Sequence, residues 1–246
     1  MPDRFLTDED IEVPAVTAAQ MREIDRIAIE ETGPNLLQMM EHAGRSLARE
    51  ALDHLGERWR TAQVVVVTGT GGNGGGGICA ARHLVNHGVQ VRVCPLAPER
   101  TIGVTAFQRR IYLQAGGQEI APADPSRARP TLIIDAILGY NLRGAPRPDA
   151  AALIRWAATS GAPVLALDVP SGVDATTGET PGDFIRATWT MTLALPKTGL
   201  RADLTGPLVL ADLGIPAAVY HRLGIPYTLP FGPRFRVPLR RVQEVK

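Results

Sequence analysis

The sequence predicts a doubly wound α/β fold, a mostly parallel sheet covered by helices on both faces, and three observations carry that prediction. Val64, Val65, Val66 and Val67 are consecutive β-branched residues, too apolar to alternate between core and solvent, so they read as a strand buried on both faces. Directly after them come Gly69, Gly71, Gly72, Gly74, Gly75, Gly76 and Gly77, with only Thr70 and Asn73 carrying side chains between. Bare backbone of this kind lets a ligand approach N–H groups closely. Beyond that corner, apolar strand-length runs and helical patterns alternate as far as Asp212, the rhythm of βα units. Together these describe a Rossmann-like, three-layer α/β/α arrangement.

Each element follows from its local pattern, and the chain reads as a single domain over 1–246. Residues 1–16 are polar and then extended around Pro14, which suggests a flexible arm over about 1–15. Thr17-Ala-Ala-Gln20 is a capping box, followed by Met21, Ile24, Ile27 and Ala28 at helical spacing, and Gly33-Pro34 ends that helix. A second helix starts near Asn35, carries Leu36, Leu37, Met40, Leu47, Ala51 and Leu55, and stops at Gly56. Met39 and Met40 on it read as core filler. After the glycines a helical pattern begins at Ile78 and ends at Gly88. There follow a strand at 89–94, a helix at about 102–115 and a proline-rich link. A second fully apolar strand at 131–135, a helix at about 148–159 and a third apolar strand at 163–167 come next. Further strands are expected at 188–195 and 207–212. From Tyr227 the chain becomes a Pro-rich, basic tail that folds back over the body or serves a subunit contact.

Composition narrows the function. A formal net charge of +1 with both signs interspersed gives no polyanion-binding signal, so nucleic acid is not an expected partner. The sequence shows no apolar run of transmembrane length and no basic-then-apolar leader, so no membrane partner and a cytoplasmic location are expected. Cys79 and Cys94 belong to no C-x-x-C pair and read as buried small residues rather than as a disulfide or a zinc site. The histidines His42, His54, His83, His87 and His221 fall on helical patterns without a metalloprotease or nucleophile-elbow motif, and read as surface or capping residues.

The glycine corner contains G-x-G-x-x-G at Gly69, Gly71 and Gly74, the sign of a dinucleotide fold. A nicotinamide dehydrogenase would place a carboxylate at the end of the next strand. Cys94, Pro95 and Leu96 stand there instead, with Glu99 beyond the proline, which argues against an ordinary dehydrogenase. Two other strand ends do present carboxylates, Asp135 before Ala-Ile-Leu and Asp168 before Val-Pro-Ser-Gly172. A lone strand-end Asp is ordinarily a cap or turn former. Two at equivalent ends, opposite the glycines, point to one crevice at a switch in strand order. Amide, carboxylate and hydroxyl oxygens suit an alkali or alkaline-earth cation and not zinc, leaving one carboxylate free for proton transfer. Gly139 to Ala145 either wraps amides around a phosphate, with Arg143 supplying charge, or is an ordinary surface loop. Lys197 faces the same crevice or, as an isolated lysine would, solvent.

The combination resembles the NAD(P)H-hydrate epimerases, the family built on the YjeF N-terminal domain. The residues that carry the resemblance are the glycine corner, Asp135-Ala-Ile-Leu-Gly-Tyr140, Asp168-Val-Pro-Ser-Gly-Val-Asp174 and Pro196-Lys-Thr-Gly199, with Gln20-Met-Arg-Glu-Ile-Asp25 and Leu37-Gln-Met-Met-Glu-His-Ala-Gly44 before them. The resemblance covers roughly 15–225. It implies interconversion of the R and S forms of hydrated NADH or NADPH, so that a separate dehydratase can restore the cofactor. It further implies potassium held by Asn73, Asp135 and Ser171. The dinucleotide would then be contacted by Gly72, Asn73, Gly74, Gly75 and Gly76, by Gly139, Tyr140, Asn141, Leu142, Arg143, Gly144 and Ala145, and by Asp168. Asp168 would be the catalytic residue and the protein a homodimer. The chain departs from the family pattern where Gly72 replaces an Asn, Gly76 an Asp and His42 an Asn. The rival reading is a catalytically impaired relative that binds a nucleotide or a protein partner through the same crevice. A methyl transferase or dehydrogenase using the glycines for an adenosine cofactor is more distant.

Overall fold

The computed structural model describes residues 4–121 and 129–242. The outermost ends of the arm and tail and most of the proline-rich link lie outside the described residues. The arm itself is docked. β1 (Arg4–Thr7) and β2 (Glu12–Val13) form an antiparallel pair, and Phe5 and Val13 are buried. The sequence shows polar residues around this stretch, but Phe5 and Thr7 alternate with Arg4 and Leu6, a short edge-strand pattern whose inward face is satisfied only by the rest of the molecule.

α1 (Ala18–Ile27) carries the expected capping box between Thr17 and Gln20 and runs into a π-helical turn at Ala28–Thr32. α2 (Leu36–Leu55) starts at Asn35, whose side chain accepts from the Gln38 N–H while Gln38 reciprocates. β3 (Gln63–Thr68) holds the four valines. α3 (Gly72–Asn86) begins six residues before Ile78, so most of the supposed glycine loop is helix. Glycine is a poor helix former, and packing explains its presence. A Cβ on Gly74 would lie 2.0 Å from the Gly69 carbonyl, one on Gly75 2.6 Å from Met40, and one on Gly77 2.5 Å from Ala136.

There follow β4 (Gln90–Pro95), α4 (Gly103–Gln114), β5 (Gln118–Glu119), β6 (Leu132–Ala136), α5 (Pro148–Thr159), β7 (Val164–Leu167) and β8 (Trp189–Leu193). α6 (Ala202–Thr205), β9 (Leu208–Ala211), α7 (Ala217–Arg222) and β10 (Arg236–Val242) complete the described chain. β5 and β10 have no counterpart in the sequence pattern. β5 is too short to show a period, and β10 is hidden among the charged and proline residues of the tail.

All ten strands share one sheet, in the order β2-β1-β10-β9-β8-β7-β6-β3-β4-β5. From β5 to β9 every pairing is parallel; β10, β1 and β2 extend the sheet antiparallel beyond β9. The tail thus folds back over the body as a strand and zips the arm to it. Val64 and Val66 pack with α2 and α3 on one face, Val65 and Val67 with α5 on the other, as a strand buried on both sides requires. A third cluster joins α1 to the arm, the tail and α7. Cys79 and Cys94 are buried free thiols. Among the described residues no helix is long and apolar enough to cross a membrane.

Candidate active site

The chain leaves β3 towards β4 on one side and returns as β6 on the other, so the strand order switches between β3 and β6, where ligands of open α/β sheets settle beyond the strands' carboxyl ends. A crevice of about 860 Å³ opens there, within the range of small-molecule sites. The glycine corner forms one wall. Gly69 must lack a Cβ, since one would lie 2.1 Å from the Ile137 carbonyl. The first turn of α3, whose leading N–H groups have no partner within the helix, points at the opening. Gly72 stands exposed, and a Cβ there would meet nothing within 4 Å.

At the end of β6, Asp135 is fully buried. Its carboxylate accepts from the Ser171 hydroxyl (2.6 Å), the Ser171 N–H (2.8 Å) and the Ile137 N–H (3.3 Å). Burial pushes its pKa up to about 6 despite those donors. Ser171 also accepts from the Leu138 N–H at 2.9 Å, and the Asn73 amide donates to the Leu138 carbonyl at 3.1 Å. Asn73, Leu138, Ser171 and Asp135 thus form one contiguous set of polar groups. Asn73 and Leu138 line the crevice, while Asp135 and Ser171 are buried and do not line it.

At the end of β7, Asp168 adopts a left-handed backbone conformation, φ 69°, uncommon for a residue with a side chain. Its N–H donates to the Met191 carbonyl at 2.7 Å, and its carboxylate accepts from the Leu193 N–H at 3.3 Å. The same carboxylate pairs with Lys197, which also donates to the Leu193 carbonyl at 2.9 Å. Lys197 is 1% exposed and Asp168 3%, so the solvated-lysine alternative is overturned. A buried ammonium needs a counter-charge and acceptors; Asp168, 29 residues earlier, supplies the charge and the neighbouring Leu193 carbonyl an acceptor.

Of the residues expected to contact a substrate, Gly72, Asn73, Gly76, Gly139, Tyr140, Asn141, Leu142, Arg143, Ala145 and Asp168 line the crevice. Gly74, Gly75 and Gly144 do not: the first two are consumed by packing, and Gly144 is an exposed turn residue with φ 68°. Met40 is buried but also walls the crevice, so it is more than filler. None of the histidines lines it. Residues of α1 do, and the sequence pattern does not place that wall. Asp25 accepts a hydrogen bond from the Tyr140 hydroxyl. Burial raises the Asp25 pKa, with the Tyr140 hydrogen bond opposing. The available signal is a carboxylate on the apolar stripe of Met21 and Ala28.

Elsewhere the fold gathers Glu41, Cys79 and His83, whose ligating atoms lie within 4.8 Å of one another. Arg82 fills that cluster, donating to both Glu41 oxygens at 2.6 and 2.7 Å. Burial pushes the Cys79 thiol up to about 12, with the Glu41 charge adding to it. None of these residues lines the crevice.

The family model of the YjeF-related protein N-terminus matches residues 36–199. The chain belongs to this family. It is 50% identical to the NAD(P)H-hydrate epimerase of Dehalogenimonas lykanthroporepellens over 222 residues, which is 90% of this chain and 91% of that one. It is 41% identical to the bifunctional NAD(P)H-hydrate repair enzyme Nnr of Hyperthermus butylicus, over 84% of this chain but only 40% of that protein. The chain also shares its fold with the crystal structure of yeast ynu0, YNL200c, matched with a TM-score of 0.77 at 23% identity over 89% of this chain and 96% of that one.

Proposed function

We propose that this chain is an isomerase that interconverts the R and S forms of hydrated NADH and NADPH. The observation that carries the reading is the buried Asp168–Lys197 pair at the wall of a crevice that a glycine-rich helix start also lines. In the hydrated ring the changing carbon bears a hydroxyl next to the ring nitrogen. The nitrogen lone pair expels that hydroxyl as a proton arrives on it, and water then adds from the other face as it loses a proton. No redox step is involved. In this reading Asp168, paired with the Lys197 ammonium, exchanges the proton with the departing and returning oxygen. The first turn of α3 and the 139–145 loop with Arg143 hold the dinucleotide by backbone amides and charge.

Potassium fits the set formed by Asn73, Asp135 and Ser171. The donors are oxygens, and Asp135 is a fully buried carboxylate for which no cationic side chain serves as partner among the described residues. A monovalent cation there would supply the missing positive charge and brace the loops that meet at Leu138. At the two departures from the family pattern, a Cβ on Gly72 would meet nothing within 4 Å and one on Gly76 would meet the Leu167 side chain at 3.0 Å. The product serves a separate dehydratase specific for the S form, a pairing consistent with the longer bifunctional relative, of which this chain spans 40%.

The test mixes both hydrated epimers with an S-specific dehydratase, with and without this protein, in potassium chloride or choline chloride. Full, accelerated consumption that needs the protein and is fastest in potassium is expected. Consumption that stops at the S fraction in both salts, while the dinucleotide still binds, would replace the enzyme by a nucleotide-binding module.

A further inference from the structure

The family match begins at residue 36, yet the segment before it is tied to the candidate site at three points. Val16 forms a parallel bridge with Lys197: its N–H donates to the Pro196 carbonyl at 2.9 Å, and its carbonyl accepts from the Thr198 N–H at 3.0 Å. Arg22 donates to the Asn141 side chain at 3.2 Å. Asp25 accepts from the Tyr140 hydroxyl, and the Tyr140 ring lies 5.8 Å from the Lys197 ammonium, within cation–π range. We propose that residues 16–25 complete the reaction site and that Asp25 is a positioning residue, which through Tyr140 holds the 139–145 loop across Lys197 and Asp168.

Packing alone does not call for Asp25. Met21, Ile24, Ile27 and Ala28 already anchor α1 in the core, and a half-buried carboxylate whose hydrogen-bond partner is a phenol costs stability where an apolar residue would not. Among the described residues its side chain bonds to Tyr140 of the crevice loop. Arg22, one turn earlier on the same helix, grips the next residue of that loop. The two grips fix Tyr140 and Asn141 from one rigid element, so the ring cannot swing off Lys197 without breaking a hydrogen bond to a charged group. The inference rests on the proposed epimerisation only for its kinetic readout.

Asp25→Ala, Tyr140→Phe, the double variant and Asp25→Asn are compared with the wild type by hydrogen exchange and by epimerase kinetics. Amides of 139–145 are expected to exchange about tenfold faster in Asp25→Ala and Tyr140→Phe, the loss of one charge-assisted hydrogen bond. The value of kcat falls by a similar factor while KM moves less than about threefold, because the rest of the dinucleotide site is intact. The double variant is no worse than either single one, and Asp25→Asn, which keeps an acceptor, recovers most of the loss. Should Asp25→Ala not fold, Tyr140→Phe carries the same expectations. Unchanged loop exchange overturns the proposal, as does unchanged kcat in an active enzyme. A wild type without epimerase activity would sink the proposed function, while the exchange measurement still decides on the clamp.

Discussion

Asp135 and Asp168 occupy equivalent places, the ends of neighbouring parallel strands, and the fold gives them opposite surroundings. Asp135 is fully buried, held by three donors from Ser171 and Ile137, and its pKa rises to about 6 because burial outweighs them. Asp168 lies on the crevice wall, in a left-handed turn, against Lys197. One carboxylate is stripped of water and offered no cation by the described chain; the other is given a cation and a route to a ligand. A strand-end position therefore supplies only a place, and the segment packed against it assigns the role: Ser171 for Asp135 and the distant Lys197 for Asp168.

Four experiments bear on this contrast. Asp168→Asn is expected to cut epimerisation about 10²- to 10⁴-fold, the usual share of an acid–base group; a variant with more than a tenth of wild-type turnover in the coupled assay would end the assignment. Lys197→Met leaves Asp168 buried without its partner and should cost about 3–5 kcal/mol in urea unfolding. A cost under about 1 kcal/mol would show that water reaches the pair. Ser171→Ala removes the shortest donor to Asp135 and should cost about 1.5–3 kcal/mol near neutral pH. It also carries a pH signature. Because the folded-state pKa of Asp135 is raised from 3.8 to about 6, the folded chain holds the extra proton between those values. Stability from this group is therefore complete below about pH 4 and is lost as pH rises through about 6. Unfolding measured in choline chloride without potassium, from about pH 4.5 to 7.5, should show that decline, and Asp135→Asn should flatten it.

The smallest effects lie in the glycine wall. Gly74→Ala drives a Cβ towards the Gly69 carbonyl, a fixed backbone atom, and should cost about 1–3 kcal/mol. Gly72→Asn meets open space and should shift stability by no more than about 0.5 kcal/mol. Equal melting temperatures for the two variants would deny that the inner glycines serve packing.

Much of this is legible in the residues. The four valines can only be a strand covered on both faces, and the capping boxes at Thr17 and Asn35 place α1 and α2. The departures have identifiable reasons. α3 starts earlier than its pattern suggests because helix propensity weighs against glycine, whereas the close approach of Gly69, Met40 and Ala136 requires it. The arm and tail look unstructured because each has an apolar face too short to be read alone; they become strands by pairing Phe5 with Arg241 and Thr7 with Leu239. Asp25 does not stand out because its partner, Tyr140, is 115 residues away.

Pattern and composition along the chain established the parallel core and the place of the crevice at its switch point, because hydrophobic period and backbone chemistry are local properties. Folding alone settled which carboxylate keeps a counter-ion, which glycines line the crevice and which face the core, and that α1 forms one of its walls. Those outcomes depend on the burial of charges and on distances between remote residues, and both exist only once the sheet has brought the segments together.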